Sequence, residues 1–309
     1  MSGNGTKAIL AALGANAGIA VAKFGGFLFT GSSSMLAESV HSVADTSNQG
    51  LLLLGGKRAQ RKPTEEHPFG YGRDRYFYSF VVALLLFSLG SMFALYEGVH
   101  KIQHPEPLRS PLIAVVILVL AIVLESYSFR TAIVESKALK GELSWWQFIR
   151  QAKTPELPVV LLEDAGALVE LVLALGGVGL TVVTGFPVFD GLGTLSIGVL
   201  LGVIAIVLII ETKSLLIGEG ADAALLDDIV REIKSDQVQK VIHIRTQYLG
   251  PDELLIAAKI GLSSSLSVAD VAAEIDAAEA RIRDVAPAAR LIYLEPDLER
   301  SAESAAAER

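Results

Sequence analysis

The chain of 309 residues contains no cysteine, which excludes disulfides, thiolate metal sites and c-type haem attachment. A cleavable signal pattern is also missing: Met1-Ser-Gly-Asn-Gly-Thr-Lys7 runs straight into an apolar stretch that is expected to be retained. There is no excess of basic charge. The formal net charge is −8, and it is unevenly placed. From Met1 to Gly218 there are 16 Lys and Arg against 16 Asp and Glu, and from Glu219 onward 10 against 18. An acidic tail argues against nucleic acid as a partner. Gly70-Tyr-Gly72 has neither the spacing nor the following soluble helix of a phosphate loop.

What the sequence does have is apolar bulk. Hydrophobic residues make up 51% of it, and mean hydropathy is +0.49. They come in blocks of membrane length, which predicts an α-helical integral membrane protein. Six spans are expected: Ala8–Thr30, Met35–Gly56, Tyr76–Val99, Pro111–Ala132, Val159–Val183 and Leu192–Ile210. The loops after the second and fourth carry six and four Lys or Arg, and those after the first, third and fifth carry none, two and none. Basic short loops stay on the cytoplasmic side, so both termini are expected there. Trp145-Trp146-Gln-Phe148 suits a segment lying at headgroup depth.

The chain is expected to divide into a membrane domain at 1–215, a cytoplasmic α+β domain at 216–298 and a disordered tail at 299–309. The second part reads as a helix at Ala223–Lys234, strands at Val241–Leu249 and Leu254–Leu262, a helix opened by a Ser267–Asp270 capping box, and a strand at Leu291–Leu294.

Ionisable residues inside membrane-length helices are costly and face a pathway or a partner. His41 and Asp45, four apart, lie one above the other on the second span. Glu163-Asp164 interrupts the fifth. These two spots are read as closing on one divalent cation. The bland alternative is that His41 and Asp45 only hydrogen-bond each other. Glu125 and Glu170 are read as polar helix–helix contacts before proton-relay groups, and Lys23 as snorkelling from a span end. His67, in a Gly-rich His-Pro turn, reads as a turn element first.

The stretch Thr30-Gly-Ser-Ser-Ser-Met-Leu-Ala-Glu-Ser-Val-His-Ser-Val-Ala-Asp45, the loop His67-Pro-Phe-Gly-Tyr-Gly72, Glu163-Asp164, and Asp190 with Ser196-Ile-Gly198 together resemble the cation diffusion facilitator family. The resemblance covers nearly the whole chain. It implies six spans and an αββαβ, ferredoxin-like tail. It also implies a homodimer in the lipid bilayer that exports Zn²⁺ or a related divalent ion from the cytosol against protons, with no cofactor and no enzymatic activity. Carried over by position, His41 and Asp45 match the span-two ligands and Asp164 the second span-five ligand. The first falls on Val160, which cannot bind metal; Glu163, Glu38 or water is expected to replace it. Tyr71 and Thr64 stand where the family's loop site has a second His and an acid. His243 and Glu295 fall near tail metal positions, yet Ile256-Ala-Ala-Lys259 offers no His, so no well-formed cytosolic metal site is expected. Family analogy makes Arg73-Asp74-Arg75 a charge lock between subunits or domains. Mn²⁺, Fe²⁺ or Co²⁺ export, a transport-inactive scaffold, and an intramembrane metal hydrolase are the competing readings; the last lacks an evident nucleophile.

Overall fold

In lipid the backbone must satisfy its own polar groups, and the long apolar blocks accordingly form helices. The computed structural model describes residues 3–30, 33–105 and 111–298. The helices are α1 (Gly3–Thr30), α2 (Ser33–Ala59), α3 (Asp74–Leu85), α4 (Met92–Gln103), α5 (Pro111–Lys140), α6 (Trp145–Gln151), α7 (Glu156–Thr184), α8 (Val188–Ile217), α9 (Ala223–Ile233) and α10 (Val268–Val285). The strands are β1 (Val238–Gly250), β2 (Glu253–Leu262) and β3 (Ala289–Leu298). A π-helical turn, Leu86–Ser91, joins α3 to α4. The stretch from 299, expected to be disordered, lies outside the described residues.

Among the described residues four segments are long and apolar enough to cross a membrane: Asp74–Gln103, Pro111–Lys140, Glu156–Thr184 and Val188–Ile217. α1 and α2 are of similar length, at 28 and 27 residues, but α2 is diluted by a polar run from Ser42 to Gln49. Several helices run past the expected spans. Hydropathy marks only the apolar part, whereas a helix continues until something breaks it. Gly141 (φ +53°) follows α5 and Gly218 (φ +123°) follows α8, in backbone conformations that favour glycine.

The chain forms two compact units. One lies within Met1–Arg61 and Asp74–Lys213, the other within Lys62–Arg73 and Ser214–Arg309. In the first, α5 shows large apolar side chains outward (Leu112, Val116, Val123 and Tyr127) and small or polar ones inward (Ala121, Glu125, Ser128, Ala132 and Ser136). That inversion suits lipid outside and tight, polar helix contacts inside. The first half of α7 is closely enclosed, with Leu157 to Leu161, Glu163 and Asp164 all buried. Lys23, expected to snorkel, is instead 6% exposed on α1. α6 opens on a capping box, with Ser144 N–H donating to Gln147 Oε1 (2.9 Å) and Gln147 N–H to Ser144 Oγ (3.2 Å). It buries Phe148 and Ile149 and leaves Trp146 exposed.

In the second unit β1 and β2 pair antiparallel, and β2 and β3 pair parallel through the α10 crossover, giving the sheet order β1-β2-β3. Strict alternation along β2 sends Leu254, Ile256, Ala258 and Ile260 into a core shared with Ile229 and Ile233 of α9 and Ile282 of α10. The Ser267–Asp270 capping box forms as the sequence indicates. The loop 62–73 belongs to this unit. A Cβ on Gly72 would stand 2.6 Å from the Leu249 carbonyl oxygen, so only glycine fits there.

Candidate metal site

Three helices of the first unit bring polar side chains into the apolar bundle: α2 with Asp45, Asn48 and Gln49, α5 with Glu125 and Ser128, and α7 with Glu163 and Asp164. Their spacings are helical. Asp45, Asn48 and Gln49 are i, i+3, i+4, and Glu125 and Ser128 are i, i+3, so each set shares one face.

Glu163 is 7% exposed, and each of its oxygens accepts an amide: Asn48 Nδ2 to Oε1 at 3.1 Å and Gln49 Nε2 to Oε2 at 2.9 Å. Asp164, 1% exposed, accepts the Ser128 hydroxyl on Oδ2 at 2.7 Å. The Glu125 carboxyl is its hydrogen-bonding neighbour. Asp164 Oδ1, Asn48 Oδ1 and Gln49 Oε1 are buried acceptors that no described donor reaches. Asp45, half-buried, lies within electrostatic range of Glu125, Glu163 and Asp164. Four carboxyl groups in a low-dielectric bundle, with acceptor oxygens to spare, demand positive charge from protons or from a metal ion. The donor set, all oxygen on the described residues, suits a hard or borderline divalent cation.

Among the sequence-derived site residues, Asp164 and Glu163 face different helices: one is tied to α5, the other to α2. His41 lies on α2 one turn before Asp45, and its side chain, like that of Glu38, is outside the described residues. Among the described residues no group of three or more His, Asp or Glu side chains converges as a metal cage. Val160 is fully buried in the apolar core of the unit. No motif in the sequence singles out Asn48, Gln49 or Ser128, and Glu125 reads there first as a helix contact. The available signal was their registry: two amides one turn beyond Asp45, and a hydroxyl one turn beyond an intramembrane glutamate.

Arg75, one member of the Arg73-Asp74-Arg75 charge lock that family analogy implies, has a buried partner within its own unit. On α3 it grips Glu156 at the start of α7, with Nη2 to Oε2 at 2.9 Å and a second, shorter contact from Nε to Oε1. In the 62–73 loop the positions of Thr64 and Tyr71 bond to each other (3.1 Å), His67 N–H donates to Thr64 Oγ1 (3.1 Å), and the His67 ring packs edge-on against Tyr71. In the sheet, Lys259 stands in register between His243 and Glu295, and its ammonium bonds Glu295 Oε1 at 3.1 Å and Asp297 Oδ2 at 3.3 Å. A lysine cation thus already neutralises the carboxylates on that side of His243.

Comparison with known proteins gives a consistent picture. The cation efflux transmembrane domain family matches residues 9–217. The mitochondrial proton-coupled zinc antiporter SLC30A9 of Xenopus laevis is 36% identical over 238 residues, covering 76% of this chain and 42% of the relative. Metal tolerance protein C4 of Arabidopsis thaliana is 29% identical, over 85% of this chain and 58% of the relative. The magnetosome protein MamB of Magnetospira strain QH-2 is 26% identical, over 84% and 85%. The chain therefore spans less than half the length of the SLC30A9 relative.

Proposed function

The chain belongs to the cation diffusion facilitator family of membrane metal transporters, and on that premise we propose that it is a proton-coupled exporter of a divalent cation, Zn²⁺ first. The observation that carries the reading is the buried carboxyl cluster of α2, α5 and α7, in which Asp164 Oδ1 has no described donor and Glu125 is its neighbour. In this reading His41, Asp45, Glu163 and Asp164 are the metal ligands. Each Glu163 oxygen keeps a lone pair beyond its amide bond, and Asp164 keeps Oδ1. The imidazole of His41 binds metal only when neutral, so metal and proton compete for it, and rocking of the bundle exchanges one for the other.

Six spans with both termini in the cytoplasm follow from the basic loops after α2 and α5, if α1 and α2 cross as well. The second unit then lies in the cytoplasm, where it serves as a dimerisation unit of a homodimer. Zinc is favoured by the histidine in the ligand set and by the similarity to the zinc antiporter SLC30A9. The MamB and metal tolerance relatives, with the oxygen-rich donors, keep Mn²⁺, Fe²⁺ and Co²⁺ as the second reading. The test is metal uptake into proteoliposomes with the four ions in competition. Zinc uptake that is lost in His41→Ala and in Asp164→Ala supports the proposal. Absence of metal-dependent flux in the wild type favours a transport-inactive scaffold.

A further inference from the structure

Two histidines far along the chain from the carboxyl cluster form a pair that transport through that cluster does not use. α4 ends in His100-Lys-Ile-Gln-His104-Pro105. The His104 N–H still donates to the His100 carbonyl at 2.8 Å, so the last turn is helical and the two side chains, four apart, share one face. Pro105 stops the helix there, because the residue before a proline is pushed towards extended backbone, and His104 sits at φ −128°, ψ 75°. The imidazole centroids are 5.0 Å apart with the planes 29° from parallel, and both rings are exposed.

That separation is within reach of chelation, once the stacked, near-parallel rings turn about their side-chain bonds so that their nitrogens converge. Two imidazole nitrogens bound at about 2.1 Å to one ion, at an angle between about 90° and 110°, hold their ring centroids about 4.6–5.3 Å apart. The charge of the adjacent Lys101 is neutralised by Asp190 at 3.1 Å, which lowers the repulsion an arriving cation meets. Tyr96 stacks on the far side of His100 with centroids 6.2 Å apart and helps to hold that ring. The ordinary reading of such a ladder is an aromatic belt at the lipid–water boundary. The spacing, helical register and neutralised neighbour go further than a belt requires.

We propose that His100 and His104 form a second cation site, a two-imidazole chelate completed by water for a borderline divalent ion such as Zn²⁺. The pair lies at the end of the Asp74–Gln103 segment opposite to the one that follows the basic loop. In a helix of that length the two ends are about 45 Å apart, enough to reach both faces of a bilayer. A chelate with only two protein ligands binds weakly and exchanges quickly. It is suited to receiving an ion on the exit side and passing it to solvent. The exit role rests on the export reading above; metal binding by the pair does not.

The test is residue-resolved modification of the purified full-length protein with diethyl pyrocarbonate, read by mass spectrometry, with and without Zn²⁺. A metal-bound nitrogen has no lone pair for the reagent. At zinc about ten times the Kd of the pair the free fraction falls about eleven-fold, and modification of both rings slows by that factor with one shared midpoint. In His104→Ala the protection of His100 disappears, and in Asp164→Ala both rings stay protected with the wild-type midpoint. Loss of transport with retained protection in Asp164→Ala separates the two sites. His100 that stays reactive at saturating zinc, that remains protected in His104→Ala, or that is shielded only in parallel with the sheet residue His243 overturns the proposal.

Discussion

Ser128 on α5 donates its hydroxyl to Asp164 Oδ2 on α7 at 2.7 Å, with both residues shut off from the surface. A hydroxyl that fixes a carboxylate leaves its other oxygen aimed and available. Groups that orient a metal ligand in this way are worth about 10–100-fold in metal affinity. Ser128→Ala is therefore expected to weaken zinc binding by about ten-fold while the protein remains folded, and Ser128→Thr to retain most of the affinity. Isothermal titration of the purified protein reads both.

The Arg75–Glu156 pair joins α3 to α7 where neither group reaches solvent. Removing one partner of a buried pair strands the other, at a cost of about 3–5 kcal/mol, whereas replacing both with apolar residues is close to neutral. Arg75→Leu and Glu156→Leu are each expected to lower the thermal midpoint in detergent markedly, and the double variant to recover most of the loss. If the double variant loses the sum of the two singles, the pair is not the unit described.

α4 and α8 meet through glycine. A Cβ on Gly98 would lie 2.6 Å from the Leu195 backbone nitrogen and one on Gly198 2.7 Å from that of Leu95, while Ser91 Oγ donates to the Gly198 carbonyl at 2.8 Å. Close backbone approach of this kind is how helices adhere where lipid supplies no hydrophobic drive. Gly98→Ala forces the backbones apart and is expected to cost about 1–3 kcal/mol, seen as a lower thermal midpoint.

In the sheet, hydrogen bonds from Lys259 to Glu295 and Asp297, and their charges, raise the lysine pKa above its ordinary value. A raised pKa in the folded state contributes stability that is fully present below the unfolded value and lost as pH rises through the folded one. The stability difference between wild type and Glu295→Gln is thus expected at neutral pH and to shrink in the alkaline range. A side-chain NMR titration of Lys259 should show its pKa moving back towards that of an ordinary lysine in the variant.

How much of this was legible from the sequence depends on the range of each interaction. Asp164 stood out because a carboxylate in an apolar run is rare and expensive. The capping box at Ser267 and the alternation of β2 were legible because their partners are three and two residues away. Arg75 and Glu156 are 81 residues apart, and nothing local marks them as partners. Ser128 was hidden by its type. Ser126 and Thr131 on the same helix donate to their own backbone four residues back, at 2.6 and 3.0 Å, so a hydroxyl in a span carries no sign of which use it has. Lys23 misleads because its length and position suggest snorkelling, while packing against the other helices decides burial.

The central claim is exchange of a metal ion for protons through the α2–α7 carboxyl cluster. It is tested most directly in proteoliposomes that carry a zinc indicator and a pH indicator together, with zinc added outside. The account predicts zinc entry accompanied by proton exit in the wild type, and neither movement in Asp164→Ala protein with an unchanged thermal midpoint. Zinc entry without proton movement, or equal flux in Asp164→Ala, would contradict it.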